Sequence, residues 1–206
     1  MVEVVVKIGG ALLAHGDHFD AVLEAIGTAR RERRLLVVPG GGPFADAVRD
    51  VDRRLRLSAA AAHWMAVLAM DQYAHLIADR LAGGVVVVDR QAVETALEAR
   101  RVPVLAPFRW MREADPLPHD WGVTSDSIAA WIAGATGARQ LVLVKPPGAR
   151  DGKTDAELVD AHFGRAIPVG VTPVVVAAEQ TELLRRAVGL KPSLPGPASA
   201  LRSTRT

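Results

Sequence analysis

The chain has 206 residues, half of them hydrophobic, which suffices for one domain with a substantial core and does not require two. Lys and Arg total 25 against 23 for Asp and Glu, so a formal charge of +2 supplies no global field for nucleic acid and confines any anion site to a local arrangement. The absence of cysteine excludes disulfides, iron–sulfur clusters and thiolate zinc and fits a reducing cytoplasm, and no apolar run approaches the roughly 20 residues of a membrane helix.

From Met1 the chain enters a β-branched run, residues 2–8, with neither the basic segment nor the cleavage site of a signal peptide. This run ends in "VVVKIGGALL". Lys7 followed by Gly9 and Gly10 reads either as a turn with a solvated lysine or as a backbone cradle for phosphate with a charge held over it. Residues 17–34 have helical character, with Asp17, Asp20 and Glu24 early and Arg30, Arg31, Arg33 and Arg34 late. That order complements a helix dipole, so the arginines are expected to end a helix rather than form a binding patch. A second strand, residues 35–38, leads into "VVPGGGPFADAVR", where Gly40, Gly41 and Gly42 stand between a strand and a helix. Their N–H groups can face an anion that the helix N-terminus also favours.

An alanine-rich helix is expected over residues 58–81 and strands over 85–88 and 102–105. A further helix over 126–136 is preceded by Thr124 and Ser125 as capping residues, and strands follow at 141–144 and 173–176. Near-continuous apolarity of the strands implies burial on both faces, hence an α/β fold with a mainly parallel central sheet between helical layers. Residues 1–190 are expected to form the single domain, and residues 191–206, rich in Pro, Ser and Gly, a mobile tail.

Ligands of open α/β sheets sit beyond the carboxyl ends of the strands, where both glycine-rich loops lie. Neither loop contains the G-x-x-x-x-G-K-[ST] or G-x-G-x-x-G pattern, so the common triphosphatase and dinucleotide fingerprints are absent. A Gly-Gly pair alone does not separate turn from cradle; the neighbouring triple glycine favours the cradle. Lys145 repeats the situation of Lys7 at another strand end, and Asp126 lies near a helix start. Two lysines flanking a transferring phosphoryl group, tied by one carboxylate, would serve a reaction that depends on positioning and charge neutralisation.

On the 58–81 helix, His63, Val67, Asp71 and His75 recur every four residues. Asp71 and His75 have metal-ligand spacing, but a polar stripe facing solvent or a subunit partner accounts for them equally. Arg49 follows the triple glycine by two helical turns and either reaches an acceptor or pairs with Asp46 or Asp50 on a solvated face. Pro116, Pro118, His119 and Trp121 lead into the Asp126 segment and could shape a pocket, whereas Trp64, Trp110 and Trp131 are expected in core or interface.

Four stretches in order, "VVKIGGALL", "VVPGGGPFADAVR", "VTSDSIAAWIA" and "LVLVKPPG", resemble the amino acid kinase superfamily over most of residues 2–150. The resemblance implies a three-layer αβα sandwich, ATP on the C-terminal half, the acceptor on the N-terminal half, Mg²⁺ on the phosphates and a homo-oligomer. It casts Lys7 as the lysine that bridges the transferring group, Gly9 and Gly10 as its cradle, and Gly41 and Gly42 as the acceptor-side loop. Asp126 resembles the aspartate that orients two lysines, and Lys145 the second of them. "HWMAVLAMDQYAHLIADR" and "PLPHDWGVTSDSIAAW" further resemble the branch that phosphorylates an aminomethylfuran-methyl phosphate to a diphosphate in methanofuran biosynthesis. There His63 and Asp71, with Arg49, would meet the acceptor's phosphate and amine.

The sequence also departs from the family. Ala11 stands where many members have serine, Pro146 and Pro147 follow Lys145 in place of an acidic residue and glycine, and the late Gly-Thr motif is missing. Gly148, Asp151, Gly152 and Lys153 therefore either line the adenosine site or form a plain surface turn. A non-catalytic binding or storage protein on the same fold, and a kinase for uridylate or isopentenyl phosphate, are the alternative functions.

Overall fold

The computed structural model describes residues 1–191; the expected tail lies, from residue 192 on, outside the described residues. Six strands form one sheet: β1 (Val4–Ile8), β2 (Leu35–Pro39), β3 (Gly84–Val87), β4 (Val102–Leu105), β5 (Gln140–Lys145) and β6 (Thr172–Ala177). Their order is β3-β4-β2-β1-β5-β6 and every neighbouring pair is parallel. Eight α-helices among the described residues cover the sheet: α1 (Gly16–Ala29), α2 (Gly42–Leu55), α3 (Ala59–Arg80), α4 (Arg90–Glu98), α5 (Phe108–Ala114), α6 (Ser125–Thr136), α7 (Phe163–Ala166) and α8 (Thr181–Ala187). None of them is long and apolar enough to cross a membrane.

The sheet is wholly rather than mainly parallel, which matches strands buried on both faces. Strand alternation sorts the core into two layers. Val4, Val6 and Ile8 pack with α1, the later part of α3 and α8 through Phe19, Ile26, Tyr73, Ile77 and Leu184. Val5, Leu141 and Leu143 face the other way, onto Val93 of α4, Met111 of α5 and Ile128 and Ile132 of α6. By the same period of two, Lys7 and Lys145 share the side of Val5 and Leu143, toward α6. The chain passes from β1 to β2 on one side, while β5 adds to β1 on the other. The C-terminal ends of β1 and β5 therefore flank the point where strand order reverses, the position at which open parallel sheets hold ligands.

The expected helix over residues 17–34 is corrected: α1 ends at Ala29, and no basic residue occupies its last turn. Leu35 must lie beside Val4 in the β1–β2 register, so the chain turns back through residues 30–34 instead of continuing helically. The arginines fasten this turn. Arg30 donates to the carbonyls of Gly27 and Ala82, Arg33 pairs with Glu3, and Arg34 donates to Glu3 from its backbone and to the Met1 carbonyl from Nε.

Beyond β1 and β2 the two glycine loops meet backbone to backbone. Gly9 N–H donates to Val144 O and Gly40 N–H to Ile8 O, each at 2.8 Å, so the ladder runs on into both loops. A Cβ on Gly10 would sit 2.1 Å from Gly42 N, and Gly42 itself has φ +55°. Both positions thus require glycine, one for close approach and one for backbone conformation. Gly10→Ala is expected to cost about 3 kcal/mol in urea unfolding, as overpacking against backbone that cannot yield. Gly16→Ala, where nothing lies within 4 Å of the added carbon, should leave stability unchanged or slightly raised.

Candidate active site

Of the four lysines in the sequence, at positions 7, 145, 153 and 191, two lie buried at the ends of neighbouring strands. Lys7 is 4% exposed and Lys145 9% exposed. Asp126, in the first turn of α6 and 4% exposed, stands between them. Its Oδ1 lies 2.9 Å from Lys7 Nζ, and its Oδ2 accepts a hydrogen bond of 2.7 Å from Lys145 Nζ. Burial works against the Asp126 carboxylate, but the two ammonium groups hold it below the usual carboxylate range. Burial and the neighbouring Lys7 push the Lys145 ammonium down to about 8, against the pull of Asp126. The group carries one net positive charge in a poorly solvated place.

The first turn of α6 is held by a residue that sequence reasoning missed. Thr124 caps the helix locally, but its Oγ1 reaches Asp126 N–H only at 3.4 Å. Asp160, between β5 and α7, instead accepts from Thr124 N at 2.9 Å, Thr124 Oγ1 at 2.8 Å and Ser127 N at 3.0 Å, and also from Ser127 Oγ. Partners 33 and 36 residues away leave no local pattern from which this role could be read.

A cavity of about 900 Å³ opens beside this group, within the range of small-molecule sites. Gly10, Ala11, Gly41, Gly42, Arg49 and His63 line it, and so do Thr124 and Ser125, which lead into Asp126. A 3-10 turn over Gly10–Ala14 leaves the N–H groups of Gly10 and Ala11 without intrahelical carbonyls, and α2 does the same for Gly42 and Phe44. Gly9 is spent on the ladder to Val144, so the cradle begins one residue later than Gly9.

His63 is 7% exposed and stacks on His119 at 4.4 Å between ring centroids. Burial and then His119 lower its pKa from the usual histidine value, so the ring is neutral at pH 7 and has a single N–H to donate. Arg49 pairs with Asp46 at 2.8 Å and also covers the Trp121 ring at 4.9 Å, while Trp121 Nε1 donates to Asp52 at 2.8 Å. Arg49 thus joins the cavity wall while keeping its helix partner.

Asp71 lies elsewhere. Its carboxylate accepts from Phe108 N–H at 3.0 Å, capping α5, and it is not among the cavity-lining residues. His75 is exposed, and no group of three or more His, Cys, Asp or Glu among the described residues could hold a metal ion. The reason is helical drift: positions four apart rotate by about 40° per step, so a stripe that starts in the cavity at His63 and Val67 ends in solvent at His75. Gly148, Asp151, Gly152 and Lys153 are exposed on consecutive turns, closed by Asp151 N to Gly148 O and Lys153 N to Arg150 O, and the structure brings none of them to the cavity.

Asp126→Asn is expected to destabilise the protein by about 3–5 kcal/mol at pH 7, by leaving two buried ammonium groups without their counter-charge. The folded pKa of Asp126 is depressed, so its stabilisation is complete above the unfolded carboxylate value and is lost as pH falls through the folded one. Urea unfolding of both proteins should therefore show the difference shrinking below about pH 4.

Among known proteins, the model of the amino acid kinase family matches residues 3–146. The [5-(aminomethyl)furan-3-yl]methyl phosphate kinase of Methanocaldococcus jannaschii is 28% identical over 144 residues, 68% of this chain and 63% of that protein. The chain therefore spans less than two thirds of that relative's length. Uridylate kinase of Archaeoglobus fulgidus superposes with a TM-score of 0.64 at 18% identity, over 89% of this chain and 95% of that one. UMP kinase of Ureaplasma parvum gives 0.63 at 17%, over 85% and 89%. At these identities the two structures establish the shared fold.

Proposed function

Because the chain belongs to the amino acid kinase family, we propose that it transfers the γ-phosphoryl group of ATP to a phosphate monoester, with the acceptor in the 900 Å³ cavity. The observation that carries this reading is the buried Lys7–Asp126–Lys145 group at the reversal point of the sheet, next to a cavity edged by unpaired backbone N–H groups. An acceptor phosphate oxygen attacks the γ-phosphorus, the bond from that phosphorus to the β-bridging oxygen breaks, and ADP leaves with the electron pair. No proton needs to be removed, since a monoester is largely ionised at pH 7. What the reaction requires is alignment of two anions and neutralisation of the charge spread over the transferring group.

Lys7 and Lys145 supply that neutralisation, and Asp126 fixes their separation. The N–H groups of Gly10, Ala11 and Gly42 orient the phosphates. The described side chains offer no dedicated metal cage, so Mg²⁺ would be carried by the phosphates of the donor, whose charge it would offset. The exposed turns at 148–153 can contact the adenosine without enclosing it.

The relative from Methanocaldococcus jannaschii makes an aminomethylfuran-methyl phosphate the favoured acceptor. Arg49 and neutral His63 suit its phosphate. The amine finds Asp46, Asp52 and Asp120 on the cavity wall, in place of Asp71. A homo-oligomer, as the family resemblance implies, has exposed apolar surface available at Met65 and Leu68 of α3.

The test is ATP and Mg²⁺ turnover over a panel of phosphate monoesters. Turnover should be highest with the aminomethylfuran phosphate and fall by about 10²–10³-fold in Lys7→Ala. Higher activity on uridylate or isopentenyl phosphate would reassign the acceptor, and monoester binding without turnover would turn the reading to a storage or sensing protein. In the active enzyme kcat/KM should decline as pH rises through about 8, where the Lys145 ammonium of the free enzyme loses its proton; a flat kcat/KM profile from pH 7 to 10 would count against a charged Lys145 in the chemistry.

A further inference from the structure

We infer that Asp160 is a positioning residue for phosphoryl transfer: by gripping the first turn of α6 from the loop before α7, it sets where Asp126 holds the two lysines. The inference rests on the phosphoryl-transfer reading of that group. Three observations carry it. The N–H groups of Thr124 and Ser127, at the α6 N-terminus, are taken by Asp160 and by no local side chain. Asp126 lies between those two residues, so its Cα cannot shift without breaking one of the Asp160 bonds. Asp160 is itself anchored, accepting from His162 N–H at 3.1 Å just before Phe163, which is 7% exposed and packs in the same core layer as Ile128 and Ile132.

The alternative is that Asp160 caps a helix and does nothing more. A cap contributes stability, and its loss would lower stability without selecting kcat over KM. A grip on Asp126 predicts more. Small displacements of groups that must align two anions are costly in rate, and the lysines act on the transferring phosphoryl group rather than on the acceptor's binding contacts. Asp160 also faces Lys145 electrostatically, together with Lys7 of β1 and Asp126 of α6, and its negative charge favours the Lys145 ammonium.

The experiment compares the wild type with Asp160→Asn, which keeps the shape and one acceptor oxygen, and with Ser127→Ala, which removes one donor to Asp160. Three readouts are taken: kcat and KM for the acceptor, melting temperature, and the side-chain NMR spectrum of protein labelled with ¹³C at lysine, whose four lysines give four assignable titrations. Asp160→Asn should remain folded, lose about tenfold in kcat and keep its acceptor KM within about twofold. The Lys7 and Lys145 resonances should move and the Lys145 midpoint should fall, while Lys153 and Lys191 stay in place. Ser127→Ala should lose less, and adding it to Asp160→Asn should cost less than the sum of the two single effects, as for groups that act through one contact.

Unchanged Lys7 and Lys145 signals in folded Asp160→Asn would overturn the inference, as would unchanged kcat or additive effects in the double variant. If Asp160→Asn does not fold, Ser127→Ala decides alone: the same selective loss of kcat with displaced Lys7 and Lys145 signals supports the grip, and a change confined to melting temperature refutes it. If the chain turns over no monoester, the kinase proposal fails, while the lysine spectra still report whether Asp160 places the two ammonium groups.

Discussion

One carboxylate shared by two buried ammonium groups is the constraint around which the structure is arranged. A lysine held alone in the interior sheds its proton or draws in water, because desolvating the charge costs more than the fold can recover. Asp126 makes both lysines tolerable at once and leaves a single uncompensated positive charge beside the cavity. That charge is fixed in position by the fold itself. The arrangement demands neighbouring strands whose side chains alternate so that positions 7 and 145 fall on one face, and a helix whose first turn arrives between them. The parallel β1–β5 pair meets the first demand and the α6 N-terminus the second, where a carboxylate also faces the positive end of the helix dipole.

The glycine loops follow from the same geometry. Lys7 brings β1 to the site, and the chain then has to leave across the end of β2, whose own loop occupies the same space. Little but backbone fits there: a Cβ on Gly10 would strike Gly42 N, and Gly42 itself takes a left-handed φ of +55°. Packing therefore accounts for these glycines without reference to a ligand, and the unpaired N–H groups at the cavity edge are a consequence of it. Ala11 contributes no hydroxyl, so the polar groups this edge offers are those of the backbone.

What the sequence reveals depends on how far apart the cooperating residues lie. The strands are legible because each is a short β-branched run between turn residues, and α3 and α6 because Ser58 and Thr124 mark their starts. Lys7, Asp126 and Lys145 stand out although distant in sequence, because a charged side chain closing a buried strand calls for a partner. Asp160 has no such oddity; an aspartate in a loop is ordinary until its hydrogen bonds are seen. The arginines after α1 mislead for the opposite reason. Their order suits a helix dipole, yet strand register forces a turn there, and pairing across the sheet outweighs a preference of a few tenths of a kcal/mol per charge. Asp71 is given its acceptor role by the family resemblance, but two four-residue steps from His63 already turn it by about 80°, and its carboxylate accepts from Phe108 N–H instead.

The cavity and the Lys7–Asp126–Lys145 group are not independent parts, because the segment running from Asp115 to Thr124 leads from one to the other. At one end His119 stacks on His63 of α3 and binds Asp115 at 2.7 Å; further along, Trp121 is fixed to α2 by Asp52 and covered by Arg49. Two residues after Gly122 the same segment becomes the cap of α6, two positions before Asp126. Trp121 and His119 are thus joined through a few residues to the first turn of α6, whose N–H groups Asp160 holds. One stretch of chain in this way links the cavity wall to the Lys7–Asp126–Lys145 group, held at one end by aromatic stacking and at the other by a single carboxylate.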